Sequence, residues 1–151
     1  MNVLIIGLGG IGQRYLRLIK KNFKKSSIYA LRSGSVKYEI KDNLLLNKNV
    51  DIIKKYDIRV IKNIDLIKDI KLDWSIVATP ASEHLTNLKS LINLGKPILV
   101  EKPLSDNLLE AKKIIKYSNK KNVTLLTGYM QRFNPGVLKL KKLINKNFLG
   151  N

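Results

Sequence analysis

Apolar and polar positions follow two rhythms along this chain. Short apolar runs at residues 3–6, 27–31, 59–61, 74–78, 97–100 and 123–127 have the length of buried strands. Between them apolar side chains recur every three or four residues. Ile11, Tyr15, Ile19 and Phe23 mark a first helix; Leu85, Leu88 and Ile92 mark one over residues 82–94, stopped by Gly95. Asn107 with Glu110 predicts a capping box opening a helix to about residue 119. Val137, Leu140 and Ile144 predict a last amphipathic helix ending near Asn145. Shorter helices are expected over residues 51–56 and, capped by Asn63 or Asp65, through Ile70. Residues 34–58 otherwise show no decisive period, although Leu44, Leu45, Leu46, Ile52 and Ile53 are expected to need burial. Strand and helix alternate throughout, which predicts an α/β fold: a doubly wound, mainly parallel six-stranded sheet with helices on both faces.

The first strand runs directly into Gly7-x-Gly9-x-x-Gly12 and then a helix. That context turns a common glycine pattern into the phosphate-binding corner of a Rossmann-type dinucleotide-binding fold. Gly7 allows a tight turn, Gly9 lets a pyrophosphate approach the backbone, and Gly12 lets the helix pack on the strand. The helix start offers N–H groups and a positive dipole end. Gly7, Leu8, Gly9, Gly10, Ile11 and Gly12 are therefore candidate cofactor contacts. About twenty residues further on, where this fold reads the adenosine ribose, stand Arg32 and Ser33. A cation there suits the 2′-phosphate of NADP, so NADP is the preferred cofactor and NAD the other one allowed. In such sheets ligands bind beyond the carboxyl ends of the strands, and the distinctive stretches all fall at those ends: Ala78-Thr79-Pro80, Glu101-Lys102-Pro103 and residues 129–133.

Composition removes several alternatives. A chain of 151 residues can build one domain with a core but not two ordinary ones. The formal charge of +18 raises the question of nucleic acid, but the excess is mostly lysine in ones and twos on polar helix faces, without interleaved aromatics. Nucleic acid is therefore the disfavoured partner. No cysteine is present and His84 is the one histidine, so no thiolate or multi-histidine metal site is expected. No apolar run reaches membrane-spanning length, so no membrane partner is expected. The chain starts with Met1 and Asn2 directly before a strand, and a cytoplasmic location is expected.

Taken together, the glycine turn, Ala78-Thr79-Pro80 with His84, the segment from Gly95 to Glu101-Lys102-Pro103, and Gly128-Tyr129 with Arg132-Phe133-Asn134-Pro135 resemble the Gfo/Idh/MocA family of NAD(P)-dependent oxidoreductases. The resemblance implies hydride transfer between a nicotinamide and the hydroxyl or carbonyl carbon of a sugar, cyclitol or nucleotide sugar. It puts Lys102 beside nicotinamide and substrate as the catalytic residue, with Lys102–Pro103 a candidate cis bond. Without Glu101 and Pro103 beside it, Lys102 would read as one more surface lysine. It adds Ala78, Thr79, Pro80, His84 and Glu101 to the cofactor site and suggests Tyr129 and Arg132 for substrate. Such enzymes continue into a C-terminal α+β domain carrying an Asp-x-x-x-His pair, a pattern not found in this sequence. The expectation is thus a dinucleotide-binding domain over residues 1–130, with residues 131–151 forming the last helix and the start of a crossing. By itself it would be an incomplete enzyme, with self-association open to it. A nicotinamide-binding sensor without catalysis is the alternative.

Overall fold

The computed structural model describes residues 1–32, 36–148 and 150. Its elements are β1 (Asn2–Ile6), α1 (Gly10–Asn22), β2 (Ser27–Leu31), β3 (Tyr38–Ile40), β4 (Leu46–Lys48), α2 (Ile52–Lys55) and β5 (Ile58–Ile61), followed by a 3-10 turn at Ile64–Ile67. After these come β6 (Trp74–Val77), α3 (Ala81–Ile92), β7 (Ile98–Val100), α4 (Leu108–Lys120), β8 (Leu125–Thr127), a second 3-10 turn at Met130–Phe133 and α5 (Pro135–Asn145). Six strands form one sheet in the order β5-β2-β1-β6-β7-β8, every pairing parallel. That is the doubly wound order, with its reversal between β1 and β6.

Because helices cover both faces, the central strand is apolar without alternation from Val3 to Ile6. Leu4 and Ile6 enter one core with Leu88, Leu91 and Ile92 of α3 and Ile114 of α4. Val3 and Ile5 enter the other with Leu16 and Ile19 of α1 and Ile52 of α2. Each fully buried side chain of this size contributes roughly 1.5–3 kcal/mol. The two cores thus fix which way every strand end points.

The structure departs from the sequence reading in four places. First, α1 buries Gly12, Gln13, Leu16 and Ile19, whereas Ile11 and Phe23 are exposed. The close approach at Gly12 rotates the helix so that the 12-16-19 stripe faces the sheet. Second, Leu44, Leu45 and Leu46 are exposed at the tip of an antiparallel hairpin, β3–β4, that stands apart from the main sheet. That hairpin is held by polar side chains, not by its leucines. Gln13 and Arg17 bond its backbone, and Glu39 is bonded to Lys55 and Tyr56. Third, the capping box is half formed. Asn107 Oδ1 accepts from the Glu110 N–H, but Ser105 Oγ, not Glu110, accepts the Asn107 N–H, and the Glu110 carboxylate pairs with Lys113 instead. Fourth, α5 buries none of its residues, and Val137, Leu140 and Ile144 remain exposed. The short helices and the six main strands fall within three residues of where the sequence pattern puts them, the widest gap being the 3-10 turn that stops at Ile67 and not Ile70.

Candidate functional site

Hydrogen bonds continue past the strand ends and line up the candidate residues. The Ala78 N–H donates to Ile6 O, the Glu101 N–H to Val77 O and the Gly128 N–H to Val100 O. On the other side of β1, the Arg32 N–H donates to Ile61 O. Gly7, Ala78, Glu101 and Gly128 consequently form one row across the carboxyl edge of the sheet, where the reversal in strand order opens a crevice.

The glycine turn is shaped by contact. Gly7 has φ +92°, and a Cβ on it would lie 2.6 Å from Ala78 O and 2.9 Å from Thr79 N. Gly9 faces open space, with nothing within 4 Å of a Cβ built there. It is the N-cap of α1 and provides no side-chain cap, so the first N–H groups of the helix are not consumed by a capping side chain. This open, side-chain-free cradle at a helix N-terminus fits a dinucleotide pyrophosphate. Leu8 is buried beneath the turn, while Ile11 lies on its outer face. Gln13, which sequence reasoning missed, is 1% exposed. Its Nε2 donates to Leu8 O (3.2 Å), and its Oε1 accepts the Ile40 N–H (2.7 Å), tying the hairpin to the turn. A polar residue inside a buried helical stripe was the available signal.

Across the crevice, the Lys102–Pro103 peptide is cis, as the resemblance implied. Glu101 is 7% exposed, whereas Lys102 and Pro103 are exposed. His84 is 1% exposed, with Nε2 2.8 Å from Thr79 O and Nδ1 2.9 Å from Pro103 O. It therefore bridges the Ala78-Thr79-Pro80 loop to the Lys102–Pro103 peptide. Thr79 Oγ1 accepts from Asn87 Nδ2, and exposed Pro80 caps α3. Tyr15, read from the sequence as an apolar helix position, sends its hydroxyl to Glu101 Oε1 at 2.5 Å. Burial chiefly, then the bond to Glu101, pushes the Tyr15 hydroxyl far above the usual tyrosine range, so it stays protonated. Tyr129 and Arg132 lie just after Gly128 and are exposed. Arg32 sits at the end of β2, at the opposite end of the row, and Ser33 lies outside the described residues. Among the described residues no group of three His, Cys, Asp or Glu side chains could hold a metal, and no helix is long and apolar enough to cross a membrane.

A doubly wound sheet with an open glycine turn at its reversal point defines a dinucleotide-binding domain. Residues 1–129 match the family described as "Oxidoreductase family, NAD-binding Rossmann fold", and the chain belongs to that family, Gfo/Idh/MocA. Inositol 2-dehydrogenase 1 of Saccharopolyspora erythraea is 32% identical over 88 residues, which are 58% of this chain and 26% of that protein. Myo-inositol 2-dehydrogenase of Thermotoga maritima is 26% identical over 152 residues, covering 99% of this chain and 42% of that protein. The crystal structure of scyllo-inositol dehydrogenase from Lactobacillus casei, with bound NAD(H) and scyllo-inositol, superposes with a TM-score of 0.77 at 18% identity. That match covers all of this chain and 42% of that one, and it shows the shared fold. Where nearly all of the chain is matched, it spans about two fifths of the relative's length.

Proposed function

We propose that this chain holds a nicotinamide dinucleotide on its glycine turn and presents Lys102 to a sugar or cyclitol carbon that exchanges a hydride with it. The observation that carries this reading is the single row Gly7–Ala78–Glu101–Gly128, which sets the phosphate cradle and the lysine on one edge. The α1 N–H groups and the bare Gly9 hold the pyrophosphate, and Ala78 and Thr79 form the wall behind it. When bound, the dinucleotide supplies the hydride acceptor or donor. Lys102, exposed at the strand end beside buried Glu101, orients the substrate hydroxyl and favours a developing alkoxide through its charge. Tyr129 and Arg132 lie on the same side and suit a hydroxylated or anionic substrate group. The inositol dehydrogenases among the relatives favour a polyol as substrate class.

The finer assignments belong to the same reading. Arg32, following β2, favours the 2′-phosphate of NADP over an unsubstituted ribose, with Ser33 beside it in sequence. Residues 1–130 act as the dinucleotide-binding unit, and α5 leads away from it. Fluorescence titration of the chain with NADPH and NADH tests the core claim. Saturable enhancement with a dissociation constant of roughly micromolar order is expected. Absence of saturation with both dinucleotides would remove the proposal.

A further inference from the structure

We propose that Tyr15 is a positioning residue that transmits occupancy of the glycine turn to Lys102 through Glu101. The inference rests on the reading of Lys102 as the substrate-side lysine. Tyr15 lies three residues after Gly12 on α1, the helix that would carry the dinucleotide phosphates. Its hydroxyl donates to Glu101 Oε1 at 2.5 Å, and Glu101 Oε2 accepts the Lys102 N–H at 3.2 Å. One carboxylate therefore joins the cofactor helix to the lysine's own peptide.

Three observations make this contact more than packing. Glu101 is buried yet takes part in no ion pair among the described residues, so the Tyr15 hydroxyl is the side-chain donor that compensates its charge. Gly128 gives this contact room: a Cβ there would lie 3.3 Å from both Glu101 Oε1 and Tyr15 Oη. Elements ending at three different strands, β1 through α1, β7 and β8, thus meet at one hydroxyl–carboxylate pair. On the far side the peptide is held again, by His84 on Pro103 O. Of these two restraints, only Tyr15 comes from the helix that receives the phosphates. A helix that settles on its ligand moves Glu101 through a short charge-assisted bond, and Lys102 with it.

Tyr15→Phe keeps the ring and removes the bond. In the full chain, hydrogen exchange read at single amides should show the Lys102 N–H exchanging about tenfold faster, while the amides of β7 and α1 keep their rates. Acylation of Lys102 by acetic anhydride, followed by peptide mass spectrometry, supplies the second readout. Saturating NADH should slow labelling of Lys102 about tenfold in the unaltered chain and less than about threefold in Tyr15→Phe, at concentrations saturating each. Equal protection in both chains, or uniform acceleration of exchange across α1 and β7, overturns the proposal. Lack of NADH protection in the unaltered chain instead overturns the reading of Lys102. Should Tyr15→Phe fail to fold by circular dichroism, Glu101→Leu, which removes both acceptors, is held to the same two outcomes.

Discussion

A Cβ placed on Gly12 would lie 1.8 Å from the carbonyl oxygen of Gly7. The two glycines are thereby mutually exclusive with any side chain at the helix position, and the turn and helix share one packing constraint. Gly12→Ala must push α1 off β1, at a cost of about 3 kcal/mol or a Tm loss on the order of 10 °C. Gly9→Ala meets nothing within 4 Å and has φ −72°, so its Tm should stay within about 2 °C. Its methyl group would nevertheless stand in the cradle and weaken NADH binding by about tenfold or more. Calorimetry and dinucleotide titration on the two variants should thus separate fold from binding. A Gly9→Ala chain that binds NADH normally would place the phosphates elsewhere.

Arg32→Asp should weaken NADPH binding by about 1.4–2.8 kcal/mol, roughly tenfold to a hundredfold, and leave NADH binding within about threefold. Parallel fluorescence titrations at one ionic strength read this directly. Equal loss for both dinucleotides would take Arg32 out of the 2′-phosphate role.

His84→Ala removes the side chain that bridges the part-buried carbonyls of Thr79 and Pro103. Loss of the imidazole N–H leaves a carbonyl acceptor without its donor, at about 1–3 kcal/mol, so a Tm loss of a few degrees is expected together with weaker NADH binding. A variant with unchanged Tm would show that the bridge contributes little to the rim.

Acid stability should depend on Glu39. Its carboxyl is held below the usual range, first by the bond to Lys55, against the opposing effect of burial, and further by Tyr56. The unfolded chain therefore binds this proton at higher pH than the folded one. The stabilisation is fully present above the ordinary carboxylate value of about 4.3 and is lost as pH falls through the lower folded value. Glu39→Gln should accordingly lower Tm at pH 7 but flatten its decline below about pH 4.5. Thermal melts across that range check the sign, and a parallel decline in both chains would contradict it.

The doubly wound sheet was legible because each strand is a short apolar run bounded by a glycine, proline or capping residue. The sharp turn at Gly7 was legible for a similar reason, since it is local in sequence, whereas the cis peptide at Lys102–Pro103 was expected only from the family resemblance. The contacts that join them were not. Tyr15 meets Glu101 across 86 positions, and nothing at either residue announces the other. Leu44, Leu45 and Leu46 misled because hydrophobicity says what a side chain prefers, not whether a three-residue strand can reach a core. The exposed faces of α1 and α5 illustrate the same point. Periodicity finds the helix, but the partner chooses which stripe is buried.

The Gln13 tether works through main-chain groups, namely Leu8 O and the Ile40 N–H. It is therefore indifferent to the side chains of the hairpin beyond Ile40. Past Asp42, whose carboxylate pairs with Arg17 of α1, sequence can drift, or be inserted between Asn43 and Leu45, while the glycine turn keeps its register. In engineering terms the hairpin tip is a grafting point: an affinity peptide or fluorophore site built there would sit on the hairpin that Gln13 ties to the glycine turn.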